Sequence, residues 1–213
     1  MPVSESSTEK YALSDPDVRL MLRVREGDAT AFEELVLRYQ SRLLTVLEHL
    51  TGRRDMAEDL AQEVFLRVYR ARERYTPQAR FSTWLFTITN NVASNARRSL
   101  ARRREVNIEP ADSSAMDPLA AMALAASGQM PTRQADKSEM CDVVRAAVAT
   151  LNERQRMAVL LSKFEGMSYA DIAEVMQVSP QAVKSLLSRA RGALREALTP
   201  YLEHGQRPEA VSN

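Results

Sequence analysis

SYADIAEVMQVSPQAVKSLLSRARGALR, residues 168–195, decides the fold. Ser168, with Asp171 three residues on, is an N-cap pattern ahead of Ile172, Ala173 and Met176. It predicts a helix of about eight residues, ending at Met176. Gln177-Val178 make a short turn, and Ser179-Pro180 open the next helix. Proline is suited to that first position because it lacks the N–H that would be orphaned there. Val183, Leu186, Leu187, Ala190 and Leu194 follow at three- and four-residue steps. Helix, short turn, helix is the pattern of a helix-turn-helix, whose second helix can enter the DNA major groove. That helix presents Gln181, Lys184, Ser185, Ser188, Arg189, Arg191 and Arg195, with no acid until Glu196. Arg and Lys reach phosphates or guanine edges, and Gln can pair with adenine.

Working back along the chain, two further apolar stripes complete a helical unit. Met157, Leu160, Leu161 and Phe164 follow an Asn152/Gln155 capping box and stop at Gly166. Met140, Val143, Val144, Ala147, Val148 and Leu151 form the stripe before it, with Cys141 read as a small buried residue. Between Glu105 and Lys137 the composition shifts to Pro, Ser and an Ala/Met stretch, acidic in its first half. We read a linker there, with weak helix over 119–126.

Upstream of the linker lies a second helical unit. Asp15-Pro16 is an N-cap and first helical position before Val18, Met21 and Leu22, and Gly27-Asp28 restarts the chain. Phe32, Leu35, Val36, Tyr39, Leu43, Val46, Leu47 and Leu50 mark a long amphipathic helix closed by Thr51-Gly52. The next helix has Met56, Leu60, Ala61, Val64, Phe65, Val68 and Tyr69 on one face and Glu58, Asp59, Gln62, Glu63 and Arg67 on the other. After a loop over 75–80, Ser82 is read as an N-cap flanked by a Phe81/Phe86 staple, ahead of Trp84, Leu85, Ile88 and Val92. No strand or repeat is found. The fold class is all-α: two helical domains, 15–104 and 138–202, joined by a flexible linker at 105–137, with a disordered tail at 1–14 and a polar tail at 203–213.

Composition narrows the function. Of 213 residues, 29 are Lys or Arg and 28 are Asp or Glu, so the net charge of +1 names no partner. The distribution does: residues 67–104 hold ten Arg against Glu73 alone, a local excess of roughly +9, the footprint a polyanion needs. Tyr75 and Arg80 in the loop are ligand candidates, because exposed bases stack on aromatics while Arg neutralises the backbone. Asn90, Asn91, Ser94 and Asn95 add polar groups able to face bases, and Arg98 lies among them. Trp84 and Tyr69 sit at helical spacing with aliphatics and are read as core. The single Cys excludes an internal disulfide, and two His far apart leave no metal or acid–base constellation. The acidic helix face has no His beside it, so it is a solvated or partner-binding face; no catalytic residue, metal or cofactor is expected. No apolar run approaches ~20 residues and the start has no signal-peptide core, so a cytoplasmic protein is expected.

These pieces, in this order, resemble the extracytoplasmic-function group of bacterial sigma factors, over about residues 15–104 and 138–200. Residues 57–69, AEDLAQEVFLRVY, look like region 2.2, and residues 81–91, FSTWLFTITNN, like regions 2.3–2.4. Residues 168–173 with Val183-Lys184-Ser185 and Arg189-Ala190-Arg191 look like region 4.2. The resemblance implies a protein that binds core RNA polymerase, through the β′ coiled coil and the β subunit, and directs it to promoter DNA. It carries polymerase docking to Asp59, Gln62, Glu63 and Arg67. It carries recognition of the −10 element, with a flipped base, to the loop from Tyr75 to Arg80 and to Asn91, Asn95 and Arg98. The −35 element falls to Gln181, Lys184, Ser185, Ser188 and Arg189. An anti-sigma factor is implied as a further partner.

Two other classes fit parts of the chain. A homodimeric helix-turn-helix regulator explains 168–195 but neither the Arg/aromatic segment nor the acidic helix; it predicts binding to a palindromic duplex without polymerase. A nuclease using Glu58, Asp59 and Glu63 predicts metal-dependent cleavage.

Overall fold

A computed structural model describes residues 11, 14–106 and 131–204. The described residues form helices α1 (Pro16–Arg25), α2 (Ala29–Thr51), α3 (Arg54–Ala71) and α4 (Phe81–Val106), then α5 (Pro131–Ala149), α6 (Glu153–Lys163), α7 (Tyr169–Met176) and α8 (Pro180–His204). A 3₁₀ turn, Arg72–Arg74, follows α3. No strand occurs among the described residues, and none of their helices is long and apolar enough to cross a membrane. The weak helix read over 119–126 lies outside them.

The predicted punctuation is where the helices begin and end. Asp15 caps α1, and Gly52 closes α2 at φ 71°. Capping boxes at Asn152/Gln155 and Ser168/Asp171 open α6 and α7. Asp28 caps α2 through Oδ1, which accepts from the Thr30 and Ala31 N–H groups at 3.0 and 3.2 Å. Its Oδ2 accepts from Arg23 Nε at 3.0 Å. The Thr30 hydroxyl, then Arg23, then the Ala31 N–H hold this carboxyl at about 2, below its ordinary value. Because the folded pKa is the lower one, the cap's contribution is complete above about pH 4 and is lost as pH falls toward 2. In an acid titration followed by circular dichroism, Asp28→Asn should flatten the loss of helix in that window. An unchanged profile would remove the cap from the acid response.

Some boundaries differ. Tyr11 is helical and half-buried against the core, inside the stretch read as a tail. The helix ahead of Cys141 starts at Pro131, where the sequence reading kept linker up to Lys137; proline at a first helical position explains the start. Helix α4 begins at Phe81, not behind a Ser82 cap, because the Phe81 N–H is capped from afar: Asp15 Oδ2 accepts from it at 2.9 Å.

The N-terminal unit packs α2 against α1 and α3, with α4 laid across α2 and α3. Helix α3 turns Ala57, Ala61, Val64 and Val68 inward, at steps of four, three and four residues. Against them lie Leu35, Leu43 and Leu47 of α2 and Phe81, Leu85 and Phe86 of α4, all at 1 % exposure or less. Each such side chain contributes about 1.5–3 kcal/mol relative to an exposed one. In the C-terminal unit, Met157, Leu160 and Leu161 of α6 meet Ile172 and Val175 of α7 and Val183 and Ala190 of α8. The two units share one continuous cluster of buried side chains, with α7 packed on α4 and α6 on α2.

Five residues depart from the stripes in which they were read, Phe164 at the end of α6 among them at 47 % exposure. Cys141 is exposed, and so are Met140 and Val144, because among the described side chains of that helix it is Val143, Ala147 and Val148 that are buried. Tyr69, read as core, is 43 % exposed: its ring packs at a tilt against Phe32 of α2, 5.1 Å between centroids, and carries the Arg72 guanidinium at 4.1 Å.

Candidate nucleic-acid interface

Three surfaces carry the residues singled out above. The first is the outer face of α3. Inward-facing alanines and valines fix its rotation, so Asp59, Gln62 and Arg67 are exposed and Glu63 is half-buried. Arg67 Nε donates to Glu63 Oε1 at 2.6 Å, and Arg54 Nε to Glu58 Oε1 at 3.2 Å. Exposed i,i+4 pairs of this kind add only about 0.3–0.5 kcal/mol each, so they leave the face available to a partner. Leu66, 49 % exposed, sits in the middle of this charged stripe. The sequence reading passed over it, although its position three and four residues after Glu63 and Gln62 already places it on the polar face.

The second surface is the loop from the 3₁₀ turn to the start of α4. Tyr75 is buried to 4 % and its ring lies 4.8 Å from that of Trp84, which is itself half-buried. Its backbone oxygen accepts from Arg25 Nη1 at 3.3 Å, tying the loop to α1. Its hydroxyl is buried with no protein hydrogen-bond partner, and burial followed by the nearby Asp15 carboxylate pushes its pKa above the ordinary tyrosine range. Tyr75 lines a cavity of about 240 Å³ together with Arg74, Gln78, Trp84 and Glu174. Burial and then Asp171 raise the pKa of Glu174. Arg80 is exposed beside the cavity.

Along α4 the polar edge divides. Asn91, Asn95 and Arg98 are exposed, with Arg98 Nη2 donating to Asn95 Oδ1 at 2.7 Å. Asn90 Nδ2 instead donates to the Val175 oxygen of α7 at 3.4 Å, and Ser94 Oγ to Glu153 Oε1 at 3.4 Å. Arg97 is likewise turned away from solvent and paired with Glu153. Of the described side chains in the basic segment, Arg67, Arg70, Arg74, Arg80, Arg98 and Arg102 remain exposed.

The third surface is α8. The turn before it is set by Gln177 in the left-handed region, φ 54°, and by the Val178 N–H donating to the Ala173 oxygen at 3.0 Å. Ser179 Oγ accepts from the Ala182 N–H at 3.2 Å and caps the helix. With Val183, Leu187 and Ala190 inward, Gln181, Lys184, Ser188 and Arg189 are exposed along one side and Ser185 is half-buried. A basic helix presented after a tight turn can lie in a major groove with its first residues at base edges. No group of three or more His, Cys, Asp or Glu able to hold a metal occurs among the described residues.

A four-helix unit with an exposed acidic face and a basic loop, followed by a helix-turn-helix unit, is the arrangement of a two-domain transcription initiation factor. Residues 35–103 match sigma-70 region 2, and residues 141–194 match sigma-70 region 4. The chain is 35% identical over 191 residues to the RNA polymerase sigma-H factor of Pseudomonas aeruginosa, covering 88% of this chain and 96% of that protein. It is 32% identical over 189 residues to the ECF RNA polymerase sigma-E factor of Haemophilus influenzae, covering 87% and 97%. It belongs to the ECF sigma factors, non-enzymatic proteins that make transcription initiation promoter-specific. The fold is shared with CnrH in its complex with the cytosolic domain of CnrY: TM-score 0.62, 23% identity, 87% of this chain and 98% of that one. It is also shared with the sigma factor RpoE of Bartonella quintana in its complex with the anti-sigma factor NepR: TM-score 0.59, 24% identity, 79% and 96%. Two sigma regions in one chain account for both helical units, which the homodimeric-regulator and nuclease readings do not.

Proposed function

We propose a division of labour among the three surfaces. The α3 face, with Asp59, Gln62, Glu63 and Arg67, docks on core RNA polymerase. The loop cavity with Tyr75 and Arg80, together with Asn91, Asn95 and Arg98, holds the unpaired −10 strand. Gln181, Lys184, Ser185, Ser188 and Arg189 read the −35 duplex. The observation that carries this reading is the cavity lined by Tyr75, Trp84 and Arg74 at the Arg-rich loop, because promoter opening costs unstacking energy that a pocket with aromatic side chains and an Arg can partly offset. Exposed apolar side chains on both units, Leu66 and Tyr69 on α3 and Met140 and Val144 on α5, support an anti-sigma partner as well. The protein works in the cytoplasm, where polymerase and DNA meet.

The test is gel filtration with bacterial core polymerase, followed by run-off transcription on fragmented genomic DNA. Co-elution and new defined transcripts are expected. Asp59→Lys with Glu63→Lys should weaken core binding at least tenfold, since like charges facing a complementary patch cost several kcal/mol. Lys184→Ala with Arg189→Ala should leave core binding intact and lower the salt dependence of promoter binding by about two phosphate contacts. If both pairs of changes affect DNA binding alone, the assignment of α3 is wrong.

A further inference from the structure

The loop before α4 alternates between two faces. Tyr75, Pro77 and Ala79 are buried, while Thr76, Gln78 and Arg80 are exposed. The side chains of those three exposed residues hold no hydrogen bond or ion pair to another described residue. With such alternation, a slip of one residue exchanges the two faces. A strand in a sheet is kept in register by its ladder, but no backbone–backbone hydrogen bond among the described residues reaches 76–79. The loop is held at its ends instead. Arg25 Nη1 donates to the Tyr75 oxygen at 3.3 Å, and Asp15 Oδ2 accepts from the Phe81 N–H at 2.9 Å. Both anchors come from α1, one from each end of it. Helix α1 is a rod about 15 Å long, and Val18, Met21 and Val24, at 1 % exposure or less, seat it on the core. Arg25 follows Met21 by four residues and Val18 by seven, which puts it on the inward side of the helix. A cation belongs there only with a partner. Arg23, in the same last turn, finds its partner locally in Asp28, whereas Arg25 reaches 50 residues along the chain to the loop.

We propose that α1 braces the −10 loop and that Arg25 is a positioning residue for capture of the unpaired strand: through the Tyr75 carbonyl it fixes the register that turns Thr76, Gln78 and Arg80 outward. The inference rests on the assignment of that loop to the −10 strand. A loop already set in its binding register spends less ordering entropy when the strand arrives. A loop that has lost its brace keeps its own arginines, so it still attracts phosphates. What it loses is the fit to bases. The signature of a positioning role is therefore weaker discrimination among sequences at an unchanged dependence on salt, whereas a phosphate contact gives uniform weakening and a smaller salt dependence.

The test uses the full chain bound to core RNA polymerase, with core alone as the blank. The probes are a fluorescent pool of random-sequence single-stranded DNA, about 20 nucleotides long, and the fraction of that pool retained by the wild-type complex after selection. Arg25→Met keeps an apolar stem at the end of α1 and removes the donor. It should leave core binding unchanged. It should weaken binding of the selected fraction about fivefold, the loss of roughly one hydrogen bond to a charged group. Preference for the selected fraction over the pool should shrink about threefold, with the salt dependence between about 50 and 200 mM unaltered. In the free chain, acrylamide quenching of Trp84, the one tryptophan, should rise, because the Tyr75 ring 4.8 Å away no longer stays in place. A salt dependence reduced by about one phosphate, with discrimination intact, makes Arg25 a phosphate contact and overturns the proposal. So does unchanged Trp84 quenching, and so does unchanged strand binding in Arg25→Met where Arg80→Ala does weaken it. If quenching rises but neither substitution weakens strand binding, it is the assignment of the loop to the −10 strand that fails, and the proposal with it.

Discussion

Arg156→Ala should lower the unfolding free energy of the C-terminal unit by about 3 kcal/mol. The side chain sits at the end of α5 and donates to four backbone oxygens. Nε reaches Val148 at 3.1 Å, Nη2 reaches Ala149 at 2.6 Å and Leu151 at 2.9 Å, and Nη1 reaches His49 at 3.2 Å. Val148 and Ala149 belong to the last turn of α5, whose carbonyls have no partner within the helix. Hydrogen bonds to a charged group contribute about 1.5–3 kcal/mol each when one partner is removed, but four on one guanidinium are not additive. Ala149 is exposed and regains water in the variant, which keeps the total well under the sum. Burial depresses the guanidinium's pKa, a sign that these carbonyls replace solvent. Lysine, a single ammonium without the planar fork, should recover less than half of the loss. Urea unfolding by circular dichroism measures the change. The single tryptophan, Trp84 on α4, reports the N-terminal unit separately, and its fluorescence transition should shift less. A change below 0.5 kcal/mol would mean that water substitutes for the guanidinium at every carbonyl.

Arg156 also marks the limit of what the sequence can show. The helices were legible because their determinants are local: Asp28 caps the residues just after it, and Asn152 and Ser168 each trade hydrogen bonds with the residue three positions on. The exposed sides of α3 and α8 were legible for the same reason, since helical periodicity rotates Asp59 and Lys184 outward once the apolar stripe is known. Within a stripe, periodicity gives only a direction. Val143 and Val144 are equally apolar neighbours, yet one is buried and the other 37 % exposed, because the partner helix covers only part of the arc. The polar residues that join one unit to the other carry no local signal at all. Glu165 precedes a helix-ending glycine and reads as surface, but it is 3 % exposed because Arg42, 123 residues earlier, lies against it. Tyr75 was correctly placed in the loop, while its burial depends on Trp84, Arg25 and the packing of three elements.

Asp15 shows the same limit at a site where the expected effect is large. Its local role, capping α1, is legible from Asp15-Pro16. Its second role is not: one oxygen, Oδ1, accepts from the Asp17 N–H at 2.9 Å, while the other, Oδ2, accepts from the Phe81 N–H at 2.9 Å. A single carboxylate thus terminates two helices whose N-termini converge, and both macrodipoles favour its negative charge. Removing an N-cap costs about 0.5–2 kcal/mol, so Asp15→Ala should cost about 2–3 kcal/mol, with both caps and the charge lost together. Asp15→Asn keeps one oxygen and points an amide N–H₂ at one of the two donors, so it should retain one cap and lose about half as much. The Phe81 amide reports the second cap directly. Where its exchange occurs by local opening, losing about 2 kcal/mol should speed that exchange roughly thirtyfold. Phe81 begins the helix that carries Trp84, and Trp84 lines the loop cavity, so a loosened start of α4 should also weaken binding of single-stranded DNA. If the alanine and asparagine variants lose equal stability, the two oxygens do not cap two helices. The start of α4 would then be held by the packing of Phe81 against Tyr39 and Trp84 alone.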